Sequence, residues 1–175
     1  MTAPVYQPTH IRAETLILGL GNILLQDEGV GVRVIEAMRE IPLPAGIELL
    51  DGGTASQDMI FALAGRCVLI VIDAVQADQE PGAIFRFNPR DLSLNHDASL
   101  SVHQMGFLEA LHMAELVPHG APQQVVMYGI QPDKLGWGLE LSPAVADAVP
   151  RVVGLIRNEI ETLNAPASAM KNIVP

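Results

Sequence analysis

With 175 residues, 49% of them hydrophobic, the chain has the apolar material for one packed core, and a single domain is expected. Its 20 acidic and 10 basic residues give a formal charge of -10, which argues against a nucleic-acid partner, because neutralising phosphates takes clustered Lys and Arg. No apolar run approaches the ~20 residues of a membrane span, the opening "MTAPVYQPTHIRAET" resembles no signal peptide, and the single cysteine, Cys67, suits a reducing, cytoplasmic setting.

Thr15–Leu20 reads as a buried strand, and from Asp27 the pattern turns helical, with Val30, Val34, Met38 and Ile41 on one face. Ile47–Leu50 is a second strand, closed by "DGGT". Ser56 is placed to cap a short helix carrying Met59, Ile60 and Leu63. Cys67–Ile72 is apolar throughout and β-rich, as a strand buried on both faces would be. Ala83–Phe87 follows a Pro-Gly turn and reads as an antiparallel edge strand, and Asn88–Ser99 as a polar loop. A helix is expected from His103 to Leu116, with Phe107, Leu108, Leu111 and Leu116 on its apolar face. Val125–Ile130 is the last strand. Ser142-Pro143 then starts a helix, serine capping and proline in the first turn, that runs to about Leu163 and kinks at Pro150. The core is expected over about 15–163, with flexible termini.

Alternating strands and helices imply an α/β fold, a mostly parallel sheet with helices on both faces. Ligands in such folds sit beyond the carboxyl ends of the strands. Each strand here ends in polar residues: Gly21-Asn22 and then Asp27-Glu28, Asp51-Gly52-Gly53-Thr54, and Asp73, while His103 opens the later helix. A dinucleotide site would use Gly19-x-Gly21 with Asp51 on a ribose. Position 24, however, is leucine where the third glycine belongs, and the acidic pair would repel a pyrophosphate. A metal site would use Glu28, Asp73 and His103, two carboxylates and an imidazole, a mixed donor set suited to a borderline divalent ion such as nickel or zinc. Three protein ligands would leave positions open for water or substrate.

Plainer readings stand beside these. Asp27 and Glu28 would cap a helix and complement its dipole, Asp73 would be a turn acid, and His103 an ordinary helix-start residue. Cys67, inside an apolar run, reads as a packed, protonated thiol and not as a nucleophile. His112 and His119 read as surface residues. Gly52-Gly53 beside Asp51 would let backbone approach a ligand closely.

The stretch "LGLGNILLQDEGVGVRVIEAM", followed in order by "DGGTAS", "VIDAV" and "SVHQMG", resembles the nickel-iron hydrogenase maturation endopeptidases over about Thr15 to Leu163. The resemblance implies a three-layer α/β sandwich around a twisted, mostly parallel five-stranded sheet. It also implies a hydrolase, classed with aspartic peptidases, that removes the C-terminal extension of a nickel-iron hydrogenase large-subunit precursor after nickel insertion. Matched motif to motif, Glu28, Asp73 and His103 fall on the family's nickel-contacting positions. The nickel is expected to come with the substrate, and other divalent ions to replace it in crystals. Asp51 falls on the position implicated in recognition or cleavage, as candidate general base, with Gly52, Gly53 and Thr54 as substrate contacts. The chain has no second Asp-Thr/Ser-Gly loop with which to build a shared-proton dyad. The competing readings are a nucleotide-binding α/β protein and a non-catalytic nickel chaperone with the same ligands.

Overall fold

The structure, a computed structural model, describes residues 14–54, 59–91, 102–118 and 120–164, with the side chains of 102–104, 163 and 164 left out. The expectations for the two termini, the Ser56 cap, most of the polar loop after Asn88, and His119 lie outside the described residues. Among the described residues five strands form one sheet in the order β2-β1-β3-β5-β4. They are β1 (Thr15–Leu20), β2 (Ile47–Gly53), β3 (Val68–Ala74), β4 (Ile84–Phe87) and β5 (Gln124–Ile130). All neighbouring pairs are parallel except β4 with β5, so the Pro-Gly turn does lead into an antiparallel edge strand. The helices are α1 (Val30–Arg39), α2 (Met59–Leu63), α3 (Val102–Glu115) and α4 (Pro143–Asn164). No helix among the described residues is long and apolar enough to cross a membrane.

The period-2 alternation of the strands sorts their side chains onto two faces. Leu16, Leu18, Leu20, Leu69 and Val71 point to one side, where Met59 and Leu63 of α2 and Phe107, Leu108 and Leu111 of α3 cover them. Ile17, Ile70 and Ile72 point to the other, under Val30, Val34, Ile35 and Met38 of α1 and Val145, Ala148, Val152 and Ile156 of α4. These layers follow from chain direction. The crossover from β1 steps outward to β2, and the next steps back past β1 to β3. Right-handed connections therefore put α1 and α2 on opposite faces. That reversal makes the gap between the ends of β1 and β3 the topological switch point.

Several boundaries differ from the sequence reading. Helix α1 ends at Arg39, leaving Ile41 half-buried beyond it. Strand β2 continues through Asp51-Gly52-Gly53, where the pairing with β1 shifts between Gly19 and Leu20. Cys67 is not packed in a strand: it is exposed, one residue before β3. Its backbone explains the misreading, because its carbonyl accepts the Gln123 and Gln124 amides and extends the strand-like hydrogen bonding. Leu116 lies past the end of α3 and is 85% exposed, so it is no part of the apolar face. The Ser142 hydroxyl does not cap α4. It is buried with no hydrogen-bond partner among the described residues, while the Ser142 N–H donates to Asp27. The extent of α4 does agree with the sequence reading, the helix continuing through Pro150 to Asn164.

Strand β5, strand β4 and α4 are tied by a polar group. Arg86 donates to Glu159 from Nε (2.9 Å) and Nη2 (2.7 Å), and the Tyr128 hydroxyl donates to the same carboxylate (3.0 Å). The Arg86 hydrogen bonds hold the Glu159 carboxyl below its usual range, with Tyr128 adding to the effect. Burial, then the bond to Glu159, pushes the Tyr128 hydroxyl up to about 12.

Candidate functional site

The switch point is built by close backbone packing. After β1 the chain turns at Gly21, which has φ +122°, and a Cβ there would run into the carbonyl oxygen of Glu28. A Cβ on Gly31 would likewise strike the carbonyls of Leu20 and Ile72. Without those side chains the start of α1 drops onto the ends of β1 and β3, and the 3-10 turn Gln26–Gly29 comes to rest over the gap. Only glycine allows this approach.

The amides of this turn are already committed. Gly21 N–H donates to Gly53 O (2.8 Å), Leu25 to Asn22 O (3.0 Å), Gln26 to Gly138 O (3.0 Å), Asp27 to Lys134 O (3.2 Å) and Glu28 to Leu25 O (3.3 Å). Leu24 N–H donates to the Asn22 side chain (3.0 Å). A phosphate cradle needs such amides free and convergent, so the turn is not built as one.

Glu28 and Asp73 reach the same rim by different routes. Glu28 is half-buried in the 3-10 turn beyond β1. Asp73 is the penultimate residue of β3, 1% exposed, with Oδ1 accepting the Ala74 N–H at 2.8 Å. By alternation with Ile72 and Ala74, which belong to the α1/α4 core, Asp73 faces the α2/α3 side.

His103 is the second residue of α3, and its side chain lies outside the described residues. The position of its backbone follows from the other end of the helix. Glu115 closes α3 at the amino end of the sheet, where Arg90 joins it (Nε to Oε1, 2.6 Å) and also donates to Pro122 O (2.8 Å), two residues before β5. The 14 residues of α3 span about 21 Å, the height of a seven-residue strand. The first turn of α3 therefore stands at the carboxyl rim, on the face to which Asp73 points. Among the described residues no three His, Cys, Asp or Glu side chains form a metal-holding group.

Asp51 stands one strand further out. It pairs with Gly19 across β2 and β1, is exposed, and accepts the Gly53 N–H on Oδ1 at 2.9 Å. The bond shapes the turn whose Gly53 carbonyl receives the Gly21 amide, so Asp51 and Glu28 belong to adjoining turns. Gly52 has a packing reason of its own: a Cβ would press on Leu18 (2.7 Å), Leu20 (2.9 Å) and Met59 (3.1 Å). A side chain here would point into the core, so only the backbone of Gly52 is available to a ligand. Gly53 has φ +48°, and Thr54 is exposed.

Asp27 has a part that local sequence did not reveal. No side-chain cap is made at either helix start, so the capping reading of this residue is wrong. Asp27 is fully buried and accepts three backbone amides from the segment after β5. These are Asp133 (3.0 Å) and Lys134 (2.8 Å) on Oδ2, and Ser142 (2.6 Å) on Oδ1. It fastens the 131–142 segment to the turn that carries Glu28. Cys67 lies at the opposite end of the sheet, beside the start of β3. A cleft of about 400 Å³ among Arg86, Arg90, Gln124 and Glu159 also lies toward that end and holds none of the rim residues.

Fold and rim together define a three-layer α/β protein with Glu28, Asp51 and Asp73 on the turns and strand ends of its carboxyl rim. The hydrogenase maturation protease profile, HycI, matches residues 32–159. The chain is 37% identical over 149 residues to the hydrogenase expression/formation protein HupD of Rhodobacter capsulatus, covering 83% of this chain and 69% of the relative. It is 33% identical over 132 residues to the hydrogenase 2 maturation protease of Escherichia coli K12, covering 74% and 80%. The hydrogenase maturating endopeptidase HybD from E. coli superposes with a TM-score of 0.77 at 29% identity, over 88% of this chain and 94% of that one. The [NiFe] hydrogenase maturation protease HybD from Thermococcus kodakarensis gives 0.70 at 26% identity, over 85% and 99%. This chain belongs to the hydrogenase maturation protease family, whose members hydrolyse peptide bonds.

Proposed function

We propose that this protein removes a C-terminal extension from the large-subunit precursor of a nickel-iron hydrogenase after nickel has been inserted. Family membership supports the endopeptidase, and the observation that carries the site is the meeting of the Glu28 turn and the end of β3 at the switch point, with the first turn of α3 on the same rim. Glu28, Asp73 and His103 contact the nickel that the substrate brings. Oxygen and imidazole donors suit such an ion, and two carboxylates with one imidazole leave coordination positions for the precursor's own ligands.

The reacting carbonyl then lies near the β2 turn. Asp51 takes a proton from the attacking water, the C–N bond breaks, and the proton passes to the departing amine. The bond from Gly53 N–H fixes one oxygen of Asp51, so the exposed carboxylate presents the other in a set direction. Nickel brought by the precursor and held by Glu28, Asp73 and His103 would serve recognition, and would supply Lewis-acid polarisation if it reached the scissile carbonyl. Thr54 and the Gly53 backbone stand where an extended tail would pass Asp51.

The test is to incubate purified precursor with the protein and follow its intact mass. Loss of one discrete C-terminal peptide is the expected result. An unchanged precursor, bound but uncut, would instead support a nickel chaperone.

A further inference from the structure

The rim is bordered by an apolar surface that the fold does not require. Among the described residues ten large hydrophobic side chains are exposed, and five of them, Ile23, Leu24, Leu135, Trp137 and Leu139, sit on two segments beside the rim. Trp137 is 85% exposed and Leu135 60%. An aromatic and several aliphatics held in water at one place mark an interaction surface more than a chance scatter.

Looseness does not explain the exposure. The two segments are bonded together as an isolated parallel bridge, Leu25 with Gly138. Gln26 N–H donates to Gly138 O and Gly138 N–H to Leu24 O, both at 3.0 Å. Arg33 Nη2 donates to Leu139 O at 2.9 Å. The Asp27 carboxylate holds the base of the segment through Asp133, Lys134 and Ser142. Trp137 is flanked by Gly136 and Gly138, and the Gln26 side chain packs close beneath, so that a Cβ on Gly138 would meet its Cγ at 2.9 Å. The tryptophan is held out on a rigid base.

We infer that Leu24, Leu135, Trp137 and Leu139 form the surface on which the folded body of the large-subunit precursor docks, through an apolar patch next to the root of its C-terminal tail. The inference rests on the reading of function given above. Continuity with the site selects this occupant. Leu24 lies four residues before Glu28 on the same turn, and the 131–142 segment leaves β5 at the carboxyl end of the sheet. A macromolecule whose tail enters between Glu28, Asp73 and Asp51 must cover the ground beside them. Tryptophan at the centre of such contacts commonly dominates the binding energy.

The test is steady-state processing of nickel-loaded precursor by wild type, Trp137→Ser and Leu135→Ser. Leu116→Ser serves as control, being exposed at the amino end of the sheet. The expected result for Trp137→Ser is a KM higher by on the order of thirtyfold with kcat nearly unchanged. Leu135→Ser shows a smaller rise, and Leu116→Ser none. Thermal midpoints stay level, because the replaced side chains are already in water. An unchanged KM in both patch variants overturns the inference. So does a wild-type dimer in sedimentation that Trp137→Ser dissociates, which would give the surface to a second copy of this chain. If wild type fails to shorten the precursor, the functional reading falls. Titrating precursor binding against Trp137→Ser then decides the surface separately.

Discussion

Replacing Asp27 with asparagine changes one oxygen to an amide and nothing else in shape, yet three buried backbone donors depend on that side chain. Asparagine keeps its oxygen where two amides converge, at Asp133 and Lys134. That turns its NH2 toward the Ser142 N–H, donor against donor, at a site where the oxygen now stands 2.6 Å away. Hydrogen bonds to a charged acceptor contribute roughly 1.5–3 kcal/mol, and an unsatisfied buried donor costs about 1–3 kcal/mol. Losing one such bond and weakening two others gives a destabilisation of about 4 kcal/mol, less whatever the segment recovers by letting water in. Urea denaturation of wild type and Asp27→Asn measures the total. Amide hydrogen exchange should show the loss concentrated at Asp133, Lys134 and Ser142, because those are the backbone donors bound to this carboxylate. A loss under about 1 kcal/mol, with those three amides still slow to exchange, would refute the idea that Asp27 fastens the 131–142 segment to the Glu28 turn.

Asp51→Asn keeps an oxygen for the Gly53 amide and so should leave the thermal midpoint nearly unchanged while abolishing processing; cleavage at the wild-type rate would remove Asp51 from the chemistry. Glu159 gives an acid limb. Its folded-state pKa lies below the ordinary 4.5, so its contribution is present above that value and fades as pH falls through the folded one. Glu159→Gln should therefore cost stability at neutral pH and progressively less below about 4.5, read by urea midpoints across the range. Tyr128 has the opposite sign: with its hydroxyl raised from 10.0 to about 12, the wild type should lose stability between those values and Tyr128→Phe should not.

Strand β3 was legible because a central parallel strand is apolar on both faces, and "VLIVIDA" leaves no other place for itself. The helical spacing of Phe107, Leu108 and Leu111 likewise matched the side of α3 that is buried. Glu28 and Asp73 could be found as acids at strand ends, since strand order alone decides that two such ends adjoin. The failures share a cause. The partners of Asp27 lie 106, 107 and 115 residues away, so nothing within a helix-length window distinguishes it from a capping acid. The packing role of Gly52 depends on Leu18, Leu20 and Met59, which meet it only once β2 lies beside β1. Cys67 shows the limit of hydrophobic runs: the apolar run begins one residue before the strand does. The apolar 135–139 segment carries no periodic pattern, and its nearness to Glu28 follows only from long-range bonds, those of the Asp27 carboxylate and those between Gly138 and Leu24 and Gln26.

The rim is proposed to receive a nickel already lodged in its substrate. That proposal is tested most directly with chelator-treated protein offered nickel-loaded and nickel-free precursor side by side, each scored by the mass of the shortened chain. Cleavage of the loaded precursor alone is the predicted result, and Glu28→Gln and Asp73→Asn should each suppress it. Equal cleavage of both precursors would contradict the claim and leave Glu28, Asp73 and His103 without a part in sensing the metal.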